Sequence, residues 1–220
     1  MSRVIGFYGS DKVEVLLYLA RILNSLDYNV LLQDLSESKA LTLCICKQYM
    51  DLTDDEIIDY TYNDIDFDYS RKEEYKDYDF VLIDLGYNSK EIDICDEIWF
   101  FTDIQCHNIM RLKYVNIDKD KKRILIVKDF LNGKISKKYI MGELSNLELS
   151  RDPYIMYFEQ DDLRLAIDCQ YNNISHFAKL SEEYLELLVE QLEELNIPLK
   201  NIKKALKRVG RGNDNGFDFF

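Results

Sequence analysis

The stretch VIGFYGSDKVEVLLYLARIL, residues 4–23, decides how this chain is read. Its first part is an apolar run ending at Gly9, the pattern of a strand buried on both faces of a sheet. Its second part sets Val15, Leu16, Leu19, Ile22, Leu23 and then Leu26 at steps of three and four, which predicts an amphipathic helix. A buried strand turning at once into a helix is where a nucleotide-binding protein keeps its phosphate loop, because N–H groups at the helix start converge on an anion. That loop needs glycines free of the Cβ restriction, a lysine, and a Ser or Thr at the helix start. Here only Gly9, Ser10, Asp11 and Lys12 lie between strand and helix, and Val13, Glu14 and Val15 follow. Nothing in this segment wraps a triphosphate in the usual way, and Asp11 and Glu14 would repel one.

Working outward, residues 30–34, 80–84, 98–102, 124–128 and 155–158 read as further short strands, mostly continuous apolar runs. Segments of helical period lie at about 38–50, 105–116, 135–144 and 161–169. Strands alternating with helices imply right-handed crossovers. The fold class expected is therefore α/β, a doubly wound, mainly parallel sheet with helices on both faces and C-terminal helices added. Ligands of such sheets bind beyond the carboxyl ends of the strands, which is where a shortened loop matters.

The composition fits one sizeable core: 220 residues, 47% hydrophobic and 13% aromatic, with two prolines, eight glycines and no linker-like tract. The division expected is an α/β domain over 1–196, followed at 197–220 by a basic amphipathic helix and a flexible tail. Without a charged-then-apolar leader or an apolar run near the ~18 residues of a membrane span, the expected location is cytoplasmic, with peripheral attachment at the inner face of a membrane. Five cysteines scattered through apolar segments are expected as reduced thiols. Cys106 and His107 are adjacent and would not face each other on a helix, and no metal site is expected. Residues 51–79 hold twelve acidic and three basic residues with five tyrosines. They read as a solvated face whose tyrosines and isoleucines cover the core or meet a basic protein partner.

In order along the chain, VIGFYGS with its helix, YNVLLQDLS, YKDYDFVLIDLGYN, CDEIWFFTDIQCHNIMRL, KRILIVKDF and YIMYFEQDDLRLAIDCQ resemble the MinD/ParA-type ATPases with a deviant phosphate loop. Within that group the chain is most similar to the CpaE/TadZ-type proteins of pilus assembly. The resemblance implies a P-loop NTPase-like fold, and it makes the departures informative. The family loop, K-G-G-x-x-K-[ST], is about four residues longer than Gly9–Ser10–Asp11–Lys12. The first-switch aspartate after Asp34 is replaced by Ser36, and the base-pocket asparagine falls near Lys128. Only the Walker B aspartate has a clear counterpart, Asp84. Holding and hydrolysing a nucleotide takes several such parts together. The expectation is thus a pseudo-ATPase with no catalytic residues and no cofactor. The alternatives are a divergent switch that dimerises around ATP and magnesium, and a partition-type DNA-associated protein. Asp84 has a structural reading too, accepting backbone N–H bonds at the strand end.

The C-terminal end reverses its charge. SEEYLELLVEQLEEL, residues 181–195, carries six glutamates and no basic residue, with Ser181 as N-cap. After it, Lys200, Lys203, Lys204, Lys207, Arg208 and Arg211 surround Ile202, Leu206 and Val209, on a chain of net charge −13. Such a helix suits an anionic membrane surface, a partner of a membrane-associated assembly, or the protein's own acidic surface. Nucleic acid is disfavoured by the acidic body. Phe217, Phe219 and Phe220 at the end suit either partner docking or folding back on the domain. Any homodimer is expected to use apolar and tyrosine-rich contacts that need no nucleotide.

Overall fold

A computed structural model describes residues 2–10, 12–46, 60–70, 74–117, 120–172 and 176–210. Among these residues eight strands form one sheet: β1 (Arg3–Gly9), β2 (Val30–Asp34), β3 (Tyr60–Tyr62), β4 (Ile65–Asp68), β5 (Phe80–Gly86), β6 (Glu97–Thr102), β7 (Lys122–Phe130) and β8 (Tyr154–Tyr157). Their order is β3-β4-β2-β5-β1-β6-β7-β8, and every pair is parallel except β3 with β4. The opening stretch is therefore the inner strand β1, flanked by β5 and β6.

Among the described residues seven α-helices cover the sheet: α1 (Val13–Ser25), α2 (Ala40–Ile45), α3 (Cys106–Lys113), α4 (Lys137–Glu143), α5 (Gln160–Asn172), α6 (Glu182–Glu194) and α7 (Leu199–Val209). Strand alternation feeds two cores. Ile5, Phe7, Leu82, Trp99, Phe101 and Ile126 pack under α1, α5, α6 and α7. Val4, Tyr8, Ile83, Phe100, Leu125 and Val127 pack under α3 and α4. Because α1 is buried along nearly its whole length, it reads as apolar on more than one stripe.

Within 51–79, the tyrosines and isoleucines expected to cover the core include Tyr62 and Ile65, which do so, and the sequence reading missed only the form taken by residues 60–68. They form a hairpin that extends the sheet, with Tyr62, Ile65 and Phe67 buried and Asp66 outward. Its two-residue turn places both Asn63 (φ 49°) and Asp64 (φ 64°) in the left-handed region, the requirement of a primed hairpin turn. The expected helix over 38–50 is α2 as far as Ile45, and its last residues, with 51–59, lie outside the described residues. The helix α7 is also not apart from the domain. Ile202 and Ala205 are buried in the first core with Ile197, and Arg208 donates to the Ser25 carbonyl at the end of α1. All five cysteines are thiols, and burial pushes the Cys95 thiol up to about 12.

Candidate functional site

At the carboxyl ends of β1, β2 and β5 lies a cleft of about 770 Å³, lined among others by Tyr8, Gly9, Ser10, Lys12, Glu37, Ser38, Asp84, Tyr87 and Arg111. It is the position at which an open parallel sheet binds its ligand. The strand-to-helix turn above it is tight. Gly9 has φ +118°, and a Cβ there would fall 2.0 Å from the Phe101 carbonyl oxygen, which accepts the Ser10 N–H at 3.1 Å. Asp11 lies outside the described residues.

Lys12 stands at the N-cap of α1 and is turned back into the protein. Its Nζ donates to the Gly9 carbonyl at 2.7 Å and sits 2.8 Å from Asp84 Oδ1, with both side chains buried. Asp84 Oδ1 also accepts the Gly86 N–H at 2.8 Å. The cation and the carboxylate at this site therefore satisfy each other. Gly86 (φ +53°) is held against Ser36, where a Cβ would come within 2.8 Å of the serine Cβ.

Asp34, fully buried at the end of β2, is equally committed. Oδ1 accepts from Ser36 N (2.9 Å) and Ser36 Oγ (2.6 Å), while Oδ2 accepts from Thr42 N and Thr42 Oγ1, both at 2.8 Å. It ties the β2 loop to the first turn of α2, where unpaired N–H groups favour a carboxylate. Ser36 Oγ in turn accepts the Lys39 N–H at 3.1 Å. Ser36 thus serves as a loop fastener.

Lys128 does not reach the cleft. It lies buried in an ion pair with Glu14, whose Oε1 also accepts from the Tyr184 hydroxyl at 3.2 Å. Glu14 therefore faces into the fold, which corrects the expectation that it would confront a bound phosphate. Burial first, and the Glu14 carboxylate next, raise the Tyr184 phenol well above its ordinary value. The signal for this cluster was a lone glutamate within an otherwise apolar helix segment.

One wall of the cleft is aromatic and cationic. The Arg111 guanidinium sits 4.6 Å from the Tyr87 ring centre, Tyr87 stacks edge-on with Tyr8 at 5.7 Å, and its hydroxyl donates to Asn108 Oδ1 at 2.8 Å. Burial raises both phenols. Sequence reasoning missed Arg111, which reaches the cleft from α3. Ser10 Oγ is buried with no hydrogen-bond partner among the described residues.

These residues do not fit a triphosphate with magnesium. Val13 and Glu14 stand where the helix would offer a hydroxyl to the metal, Lys12 is neutralised by Asp84, and Asp34 has no acceptor capacity left over.

On α7, Lys200, Lys203, Lys204, Lys207 and Arg208 are exposed, whereas Ile202 is buried and Leu206 and Val209 are half-buried against the first core. Insertion of Ile202 into a lipid surface is thereby corrected: its side chain is used inside the protein. Arg211, Phe217, Phe219 and Phe220 lie outside the described residues.

No family model and no curated protein matches the sequence. Solved structures match the fold. A plasmid partition protein of Borrelia burgdorferi B31 bound to AMPPNP superposes with a TM-score of 0.53 at 14% identity, over 94% of this chain and 99% of that one. A second Borrelia burgdorferi plasmid partition protein gives 0.51 at 13%, over 77% and 96%. A ParA family ATPase from Chlorobium tepidum TLS gives 0.50 at 12%, over 94% and 97%. The chain has the MinD/ParA-type α/β fold. At these identities the likeness concerns architecture, and the chemistry must be argued from the side chains.

Proposed function

We propose that this protein is a catalytically inactive, ATPase-like scaffold that positions protein partners of a membrane-associated machine, such as a pilus or secretion assembly. The observation that carries the inactive reading is the buried Lys12–Asp84 pair: the cation and the acid of the site are bonded to each other across a turn without a glycine cradle. Calorimetry with ATP and magnesium tests it. No heat of binding is expected below millimolar nucleotide; tight, magnesium-dependent binding abolished by Lys12→Ala would refute it. The second reading, a divergent nucleotide switch, is favoured by the cleft itself, which stays open at the ligand end of the sheet.

The membrane side of the proposal rests on α7. With its apolar stripe packed inward, five exposed cations remain, each worth about 1 kcal/mol near an anionic bilayer and screened over a Debye length of roughly 8 Å. The attachment proposed is peripheral, electrostatic and reversible. No helix among the described residues is long and apolar enough to cross a membrane. Co-sedimentation with anionic vesicles at low salt should be lost on raising the salt or in Lys203→Glu/Lys204→Glu. Failure of the wild-type chain to sediment would move this face to a protein partner.

A further inference from the structure

Lys12 and Arg111 both line the cleft at the carboxyl ends of β1, β2 and β5, and they differ in what they face. Lys12 is paired with Asp84, whereas Arg111 has no carboxylate at ion-pair distance among the described residues. Arg111 comes from the last turn of α3, and its guanidinium is set 4.6 Å from the centre of the Tyr87 ring. Packing on the ring engages the flat face of the guanidinium and leaves edge N–H donors for a ligand. The wall beneath it is fixed. Asn108 Oδ1 accepts from the Tyr87 hydroxyl at 2.8 Å, Asn108 Nδ2 donates to Asp103 Oδ1 at 3.0 Å, and the Tyr8 hydroxyl donates to the Tyr87 carbonyl at 3.1 Å. A cation held this way costs little further ordering when it binds.

Ser10 brings a second unused donor. Its Oγ is buried at the cleft and makes no hydrogen bond to a described residue, and a buried hydroxyl left so calls for a partner. Burial raises the Tyr87 phenol, while Ser10 and Arg111 both pull it back, so the three side chains share one corner of the cleft.

The lining selects the ligand. A guanidinium edge with a hydroxyl beside it matches a carboxylate. More than one negative charge is opposed, because Glu37 lines the same cleft and the chain carries a net −13. Tyr8, Val13 and Ala40 add apolar lining, and about 770 Å³ is room for a small organic molecule.

We propose that the cleft binds an organic monocarboxylate with an apolar body, its carboxylate on Arg111 and Ser10 Oγ and its body along Tyr8 and Val13. This rests on the reading that no nucleotide occupies the cleft.

Benzoate is the probe, followed by saturation-transfer NMR with the full-length chain. A saturable signal with a Kd of about 1 mM is expected for a ligand of this size, and the Arg111 Nε–H resonance should move along the same curve. Arg111 is exposed, so Arg111→Gln leaves the fold in place; it should weaken binding about tenfold or more, and Ser10→Ala about threefold. Benzamide, the same ring without the charge, should bind about tenfold more weakly. No saturable benzoate signal up to about 10 mM, equal binding of benzamide, or equal affinity in wild type and Arg111→Gln would each overturn the proposal. Inorganic phosphate displacing benzoate at equal concentration would overturn it too, by reducing the site to a general anion trap. Magnesium-ATP displacing benzoate at micromolar concentration would overturn this proposal together with the inactive reading. Failure of both benzoate and magnesium-ATP to bind would overturn this proposal alone.

Discussion

Removing the Lys12 ammonium separates the two readings of the site. In Lys12→Met, Asp84 keeps the Gly86 N–H but loses the Lys12 ammonium at 2.8 Å, in a place where both side chains are buried. Leaving one buried charge unpaired costs about 3–5 kcal/mol, because desolvation of the carboxylate is no longer offset. For a chain of this size each kcal/mol moves the melting temperature by roughly 2–4 °C, so Tm should fall by about 6–20 °C. The double variant Lys12→Met/Asp84→Asn removes both charges and should recover most of the loss, since an isosteric neutral pair stands close to break-even with a buried ion pair. A site built for a nucleotide behaves in the opposite way: its lysine is held against a cost that the ligand relieves, and removing it leaves the apo protein as stable or more so. The assay is differential scanning calorimetry of the four proteins of the cycle, with and without magnesium-ATP. Ligand at a hundred times its Kd would stabilise a competent site by about 2.7 kcal/mol. A Lys12→Met protein melting at or above the wild type, or a wild-type melt raised by magnesium-ATP, would refute the reasoning.

The other cluster at the start of α1 should respond alike: Glu14→Gln leaves Lys128 buried without its carboxylate and should cost about 3–5 kcal/mol in urea unfolding, with Tyr184→Phe costing only about 1 kcal/mol. Gly9→Ala should be among the most damaging single substitutions, since φ +118° and a carbonyl oxygen 2.0 Å from the new Cβ both oppose it; little soluble protein is expected on expression. At the amino end of the sheet, Glu194 accepts from Lys122 at 2.5 Å and Arg151 at 2.7 Å. Burial would raise its carboxyl, but these two cations outweigh it and the folded-state value is lowered from 4.5. A depressed carboxyl stabilises above its unfolded pKa and loses that contribution as pH falls through the folded value. Wild type should therefore exceed Glu194→Gln in stability near neutrality, by no more than about 1 kcal/mol for so accessible a pair, with the difference fading as pH falls below the unfolded carboxyl value and gone once it passes the lowered folded value.

The parallel core of the fold was legible because both faces of its strands are covered. A strand such as residues 4–8 or 80–83 is apolar throughout, and no solvent face dilutes the signal. The β3–β4 hairpin was hidden for the opposite reason. It is an edge, so Asp66 and Asp68 alternate with Ile65 and Phe67, and the carboxylates outweigh a pattern that alternation and the Asn63–Asp64 turn could have revealed. The position of the site followed from topology, and the shortness of its loop from counting residues. The partners of its charges were not legible. Lys12 is three residues from Gly9 but seventy-two from Asp84, and Glu14 is 114 from Lys128; local spacing says nothing about pairs that the sheet brings together.

Those pairs bear on why the turn after β1 keeps its shape with so few glycines. The start of α1 has unsatisfied N–H groups and a positive end, which in a phosphate-binding protein are matched by the ligand. Here Lys12 and Glu14, two positions apart, are each drawn to a buried countercharge on a different strand, Asp84 on β5 and Lys128 on β7. The helix start is thereby anchored to the sheet at two points by its own side chains. Asp34 closes the neighbouring loop with four accepted hydrogen bonds. A site fastened in this way gains nothing from an anion that would have to displace Lys12 from Asp84, and each fastening can be read as a cost when it is cut.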